Sequence, residues 1–120
     1  MKTMRILMLV MLTASFTTLN AQKKVDPVGT WSYQANNAPY EYSSGDIVVS
    51  KDGKDFKVVL ELSEYYKITA NNVAYEENVL SFTLYVEGES VSVKATMGKE
   101  SLEGTASYSE GTIKLSGKKK

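Results

Sequence analysis

The chain is predicted to fold as a single small all-β domain, an up-and-down antiparallel β-barrel of about eight strands. Three observations carry this. From Val28 onward apolar and polar residues alternate with period two, the mark of strands buried on one face. The alternating runs are separated by short turns rich in Gly, Asn and Asp. No segment holds an apolar stripe at helical spacing, so nothing beyond a turn near Val25 to Val28 is expected to be helical.

Gly29 to Gln34 reads as the first strand, with Trp31 and Tyr33 on one face. Asp46 to Ser50 and Asp55 to Leu62 follow, joined by Lys51-Asp52-Gly53-Lys54, and Phe56, Val58, Leu60 and Leu62 form the inner face of the second. Tyr65 to Thr69 and Val73 to Glu76 are shorter candidates. They flank Asn71-Asn72, a pair suited to left-handed turn geometry. The clearest alternation is Leu80, Phe82, Leu84 and Val86 against Ser81, Thr83 and Tyr85. Glu87-Gly88-Glu89 then turns the chain into Val91, Val93, Ala95 and Met97. Gly98-Lys99 leads to Leu102, Gly104, Ala106 and Tyr108, and Glu110-Gly111 to a last strand with Ile113 and Leu115. These last strands form a meander.

An open sheet of so many strands would expose two edges, so closure into a barrel is the economical arrangement, with a β-sandwich as the alternative. Ala95, Gly104 and Ala106 are small residues at inward positions. They suit a tight barrel filled from the opposite wall by Trp31, and equally a small cavity.

Residues 1–21 read differently. Lys2 and Arg5 precede the apolar run Ile6 to Leu12, and small and polar residues lead to Leu19-Asn20-Ala21. That layout predicts a secretory signal peptide cut near Ala21, leaving residues 22–120 as the mature domain, periplasmic or secreted. The apolar run is too short to span a bilayer, and no cysteine is present to carry a lipid, so no membrane anchor is expected after cleavage. The Lys118-Lys119-Lys120 end is expected to be a solvated, frayed tail.

Composition excludes several functions. Without Lys2 and Arg5 the 14 basic residues fall to 12 against 14 acidic, a net charge of about −2. Nucleic-acid binding therefore lacks its electrostatic footprint. With no histidine and no cysteine in the chain, imidazole bases, Ser-His triads, thiol nucleophiles and the usual zinc ligands are all missing. The near-paired carboxylates (Glu61 and Glu64, Glu76 and Glu77, Glu87 and Glu89) fall at strand ends and turns, where charge keeps edges soluble. Asp46, Asp52 and Asp55 match no calcium-loop spacing. No enzyme is expected, and no cofactor or metal.

The segment Asp26-Pro27-Val28-Gly29-Thr30-Trp31 resembles the opening of lipocalin-like, or calycin, barrels, whose first strand begins Gly-x-Trp with the Trp closing one end. Leu102-Glu103-Gly104-Thr105 is similar to the late Leu-x-Gly strand of small lipocalin-like domains in secreted and periplasmic proteins of Gram-negative bacteria. The resemblance implies a cation from the last strand over Trp31. The mature chain has no Arg, which leaves Lys114 as the expected substitute.

A barrel of this kind is expected to hold a small apolar or amphipathic ligand near Trp31, Tyr33, Phe56, Phe82 and Met97. Tyr40 and Tyr42 are expected to gate it from the loop after the first strand. Two other readings stand beside this one. The first is a protein-interaction module, such as a protease inhibitor that uses Gln22 to Pro27 as an arm. The second is a structural envelope component.

Overall fold

The computed structural model describes residues 24–120; the signal peptide expected over residues 1–21 lies outside them. The described chain is all-β: β1 (Gly29–Gln34), β2 (Ser44–Asp52), β3 (Asp55–Glu61), β4 (Lys67–Thr69), β5 (Asn71–Glu76), β6 (Val79–Val86), β7 (Glu89–Met97), β8 (Ser101–Tyr108) and β9 (Gly111–Lys119). They form one antiparallel sheet in the order β4-β3-β2-β1-β9-β8-β7-β6-β5. A single continuous sheet excludes the sandwich.

Closure follows from the two edges of that order. β4 and β5 are separated in sequence only by Ala70, so both edges of the sheet belong to one stretch of chain. Its first half pairs with β3, and the Ala70 N–H continues that pairing by donating to the Val58 carbonyl at 2.9 Å. Its second half pairs with β6, and the register shifts between Asn71 and Ala74, where Asn72 has φ 53°. The bulge lets one bent segment serve both neighbours. Asn71-Asn72 thus forms a kink inside the barrel wall and not a hairpin turn. Counted as one bent strand, residues 67–76 bring the nine strands back to the expected eight. Where β3 and β5 diverge, the nearly closed barrel is sealed by side chains. The Phe56 and Tyr75 rings meet edge to face at 5.5 Å, and the Lys51 ammonium lies 4.3 Å from the Phe56 centroid.

The period-two pattern delivers the core. Trp31, Ile47, Val49, Val58, Leu60, Leu80, Phe82, Leu84, Val93, Ala95, Met97, Leu102, Ala106 and Leu115 are buried along the inside, with no buried polar or charged residue among the described ones. The β6–β7 hairpin turns on Glu87 and Gly88, both at positive φ, the primed geometry that matches strand twist. Gly104 faces Ala95 across the β7–β8 pair. A Cβ on Gly104 would strike the Lys94 carbonyl oxygen and come within 2.7 Å of the Ala95 Cα, so only glycine fits there.

The C-terminus corrects the frayed-tail expectation. β9 runs to Lys119 and pairs with both β8 and β1. The Lys119 N–H donates to the Glu100 carbonyl, and the Lys120 N–H to that of Thr30 at 2.9 Å. The Lys120 ammonium bonds Asp46 at 3.1 Å. The cation near Trp31 is Lys119, 5.6 Å from the ring centroid, and not Lys114. The polar run Ser116 to Lys119 has no apolar alternation, so its strand is held chiefly by backbone pairing with β1 and β8.

Candidate functional site

Up-and-down connectivity sorts the loops onto two ends of the barrel. At one end, the base, β1 starts and β9 finishes, and Lys24–Val28 folds across. The Trp31 indole N–H donates to the Pro27 carbonyl at 2.9 Å. The Val25 N–H donates to the Asn78 side chain at 2.9 Å, and the Tyr75 hydroxyl to the Val25 carbonyl at 2.5 Å. Trp31 is 0% exposed, and Pro27, Val49, Val58, Leu80 and Leu102 are as tightly enclosed. The base is packed shut.

The other end, the mouth, carries residues 35–43, 62–66, 87–88 and 109–110. Beneath these loops lies a cavity of about 240 Å³. Its walls are Ile47, Leu60, Phe82, Leu84, Val93 and Leu115, with Ala106 the small side chain that β8 contributes. Tyr33 borders it from β1. Its partner positions on the neighbouring strands are Gly45 and Gly117. Gly45 makes room for the ring, since a Cβ there would lie 3.1 Å from Tyr33 Cε1. Burial pushes the Tyr33 hydroxyl up to about 12.

A lid forms from the segment after β1. The Ala35 N–H donates to the Ser43 carbonyl at 2.8 Å, and Pro39 starts a short 3-10 turn at Tyr40–Tyr42. The turn separates the two rings expected to gate the barrel together. Tyr40 is 93% exposed and away from the cavity, whereas Tyr42 covers it. The lid is pinned twice. The Tyr33 hydroxyl donates to the Tyr42 carbonyl at 2.7 Å from inside. Outside, the Tyr42 hydroxyl donates to Glu87 Oε2 at 3.0 Å and meets the Tyr66 hydroxyl at 3.3 Å, tying the lid to the β6–β7 turn and the β3–β4 loop. The Tyr66 hydrogen bond, desolvation and then Glu87 keep the Tyr42 hydroxyl protonated well beyond the usual phenol range.

The rim is acidic. Glu87, Glu89 and Glu110 border the cavity beside Tyr108, and among the described residues no lysine lines it. Ser109 donates its hydroxyl, and its backbone N–H at 2.8 Å, to Glu89 Oε1, which holds that carboxyl below its usual range. Among the described residues the ion pairs are Lys67–Glu61 and Lys120–Asp46, and neither involves a rim carboxylate. No group of three or more acidic side chains among the described residues is arranged to hold a metal.

The structure brings together three of the seven residues singled out from the sequence. Tyr33, Tyr42 and Phe82 line the cavity. Trp31 and Met97 belong to the packed interior away from it, Phe56 seals the wall with Tyr75, and Tyr40 faces solvent. Sequence reasoning missed the rim carboxylates. Their signal was topological: in an up-and-down barrel, the β6–β7 and β8–β9 turns must emerge at the same end. No protein-family model matches the chain, and no curated protein or solved structure matches it either.

Proposed function

We propose that this is a non-enzymatic binding protein, secreted or periplasmic, that holds a small apolar or amphipathic ligand in the mouth of a lipocalin-like barrel. The supporting observation is the hollow itself. It offers about 240 Å³ between apolar walls. The base, by contrast, is filled by Trp31, Val58, Leu80 and Leu102. Tyr33, Tyr42 and Phe82 are the contacts assigned to the ligand, with Ile47, Leu60, Val93 and Ala106 as apolar walls. Tyr42 supplies the gate.

The inhibitor reading rests on a free N-terminal arm. Among the described residues, Lys24–Val28 is instead bound to the barrel's own base through Val25 and Pro27. The ligand reading is therefore preferred.

Native mass spectrometry of protein taken from its own envelope fraction, without detergent, tests the proposal. The expected result is an adduct of a few hundred daltons that disappears in Ala106→Leu, where a larger side chain occupies the cavity. Identical clean masses for both proteins, with no shift on adding apolar probes, would overturn it.

A further inference from the structure

The proposed ligand has a second property written into the rim. A carboxylate at a loop end is ordinarily just solvated, and three of them make no site on their own. Here they border an apolar hollow, and that combination discriminates between ligands. Apolar surface sits below, on Phe82, Leu84, Val93 and Leu115, and the opening is bounded by Glu87, Glu89 and Glu110. The three come from two hairpins that β-sheet pairing holds side by side, since β7 pairs with both β6 and β8.

We infer that the ligand is a cationic amphiphile, with an apolar body in the cavity and an ammonium or guanidinium group at the carboxylates of the mouth. The inference rests on the binding function proposed above and narrows it to one chemical class.

Three features support the sign of the charge. None of the rim carboxylates is in an ion pair among the described residues, so their field is not cancelled by a neighbouring lysine. Glu89 is fixed by Ser109 through one oxygen, Oε1, and Glu87 accepts from Tyr42 through one oxygen, Oε2. In each case the second oxygen accepts no hydrogen bond from the described residues and remains an acceptor for a donor from the ligand. The third feature is the anion's prospects: a fatty-acid carboxylate in the same pose would meet three like charges and no cation. Glu87 also links recognition to gating. It holds the Tyr42 hydroxyl in the closed lid, so a cation arriving there competes with or reinforces that hydrogen bond.

The test compares three probes that share one tail: decylammonium, decanol and decanoate, each below its micelle-forming concentration, titrated into the mature protein by calorimetry. Decylammonium is expected to bind severalfold more tightly than decanol, and decanoate most weakly, because an exposed charge pair contributes modestly. Raising the salt concentration shrinks the amine's advantage. The double variant Glu87→Gln, Glu110→Gln lowers the ratio of amine to alcohol affinity, while Gln at position 87 keeps an acceptor for Tyr42. Equal affinities for the three probes, or a preference for decanoate, overturn this inference and leave the binding function standing. No heat from any probe, with Ala106→Leu indistinguishable from the parent, overturns both.

Discussion

The base and the mouth of this barrel are made by the same strands, yet their inward positions are filled in opposite ways. β1 places Trp31 toward the base and Tyr33 between two glycines at the mouth. β8 places Leu102 toward the base and Ala106 at the mouth, and β7 runs from Val91 and Val93 at the mouth to Met97 at the base. Toward the base, large side chains, the N-terminal segment and the paired C-terminus leave no room. Toward the mouth, apolar walls surround a void, and the polar groups of the lid and rim bond to one another. The contrast separates two duties within one short sheet. Stability is concentrated where the strands begin and end at the base, which leaves the mouth free to stay hollow.

Trp31→Ala is the harshest way to test that division. The indole is wholly enclosed and its N–H is satisfied by Pro27. Removing it should destabilise the domain by about 3–5 kcal/mol, read as a fall in the denaturant midpoint at unchanged slope. A loss below about 1 kcal/mol would mean that the base is not the clamp described here. Gly104→Ala acts on the wall between the two ends. The new Cβ has backbone, not a flexible side chain, in its way, so β7 and β8 must separate. The expected loss is about 1–3 kcal/mol, the usual range for overpacking.

At the mouth the sign reverses. Ala106→Leu places apolar atoms in an existing void and should leave stability unchanged or raise it by about 1 kcal/mol, as cavity-filling changes commonly do. Ligand binding should be lost in the same protein. A variant that is both more stable and unable to bind would separate fold from function in one substitution. A variant as destabilised as Trp31→Ala would show that the mouth is as tightly packed as the base.

The two ends also differ in how far the sequence reveals them. The alternation Leu80 to Val86, Val91 to Met97 and Leu102 to Tyr108 states strand identity and inner face directly, because half-buried strands need that period. Closure through residues 67–76 is not legible, since it depends on β3 and β6 meeting opposite halves of one segment, a non-local fact. Nor does composition reveal that Lys118 and Lys119 lie in a strand, because their pairing uses backbone groups that every sequence has. The cavity is hardest to read. Trp31, Phe56, Phe82 and Met97 look alike as apolar inward residues, and only their height along the barrel axis distinguishes filler from lining. Tyr40 and Tyr42 were separable only through Pro39, which starts a 3-10 turn and sends one ring outward.

Tyr33 offers the finest probe of the comparison, because its buried hydroxyl borders the cavity from β1 and also holds the lid. Its hydroxyl, raised by burial to about 12, ionises near 10 in the unfolded chain. The native state therefore favours the protonated form more strongly than the unfolded state does. That contribution to stability is fully present below pH of about 10 and is lost as pH rises toward about 12. Ionisation would also remove the donor that pins the lid at the Tyr42 carbonyl. Surface lysines titrate in the same window, so the parent must be compared with Tyr33→Phe, which keeps the ring and loses the hydroxyl. The variant should start slightly less stable at neutral pH and then decline less steeply than the parent through the alkaline window. Parallel declines would place the Tyr33 hydroxyl in water, and the lid would then be held from outside alone, by Tyr66 and Glu87.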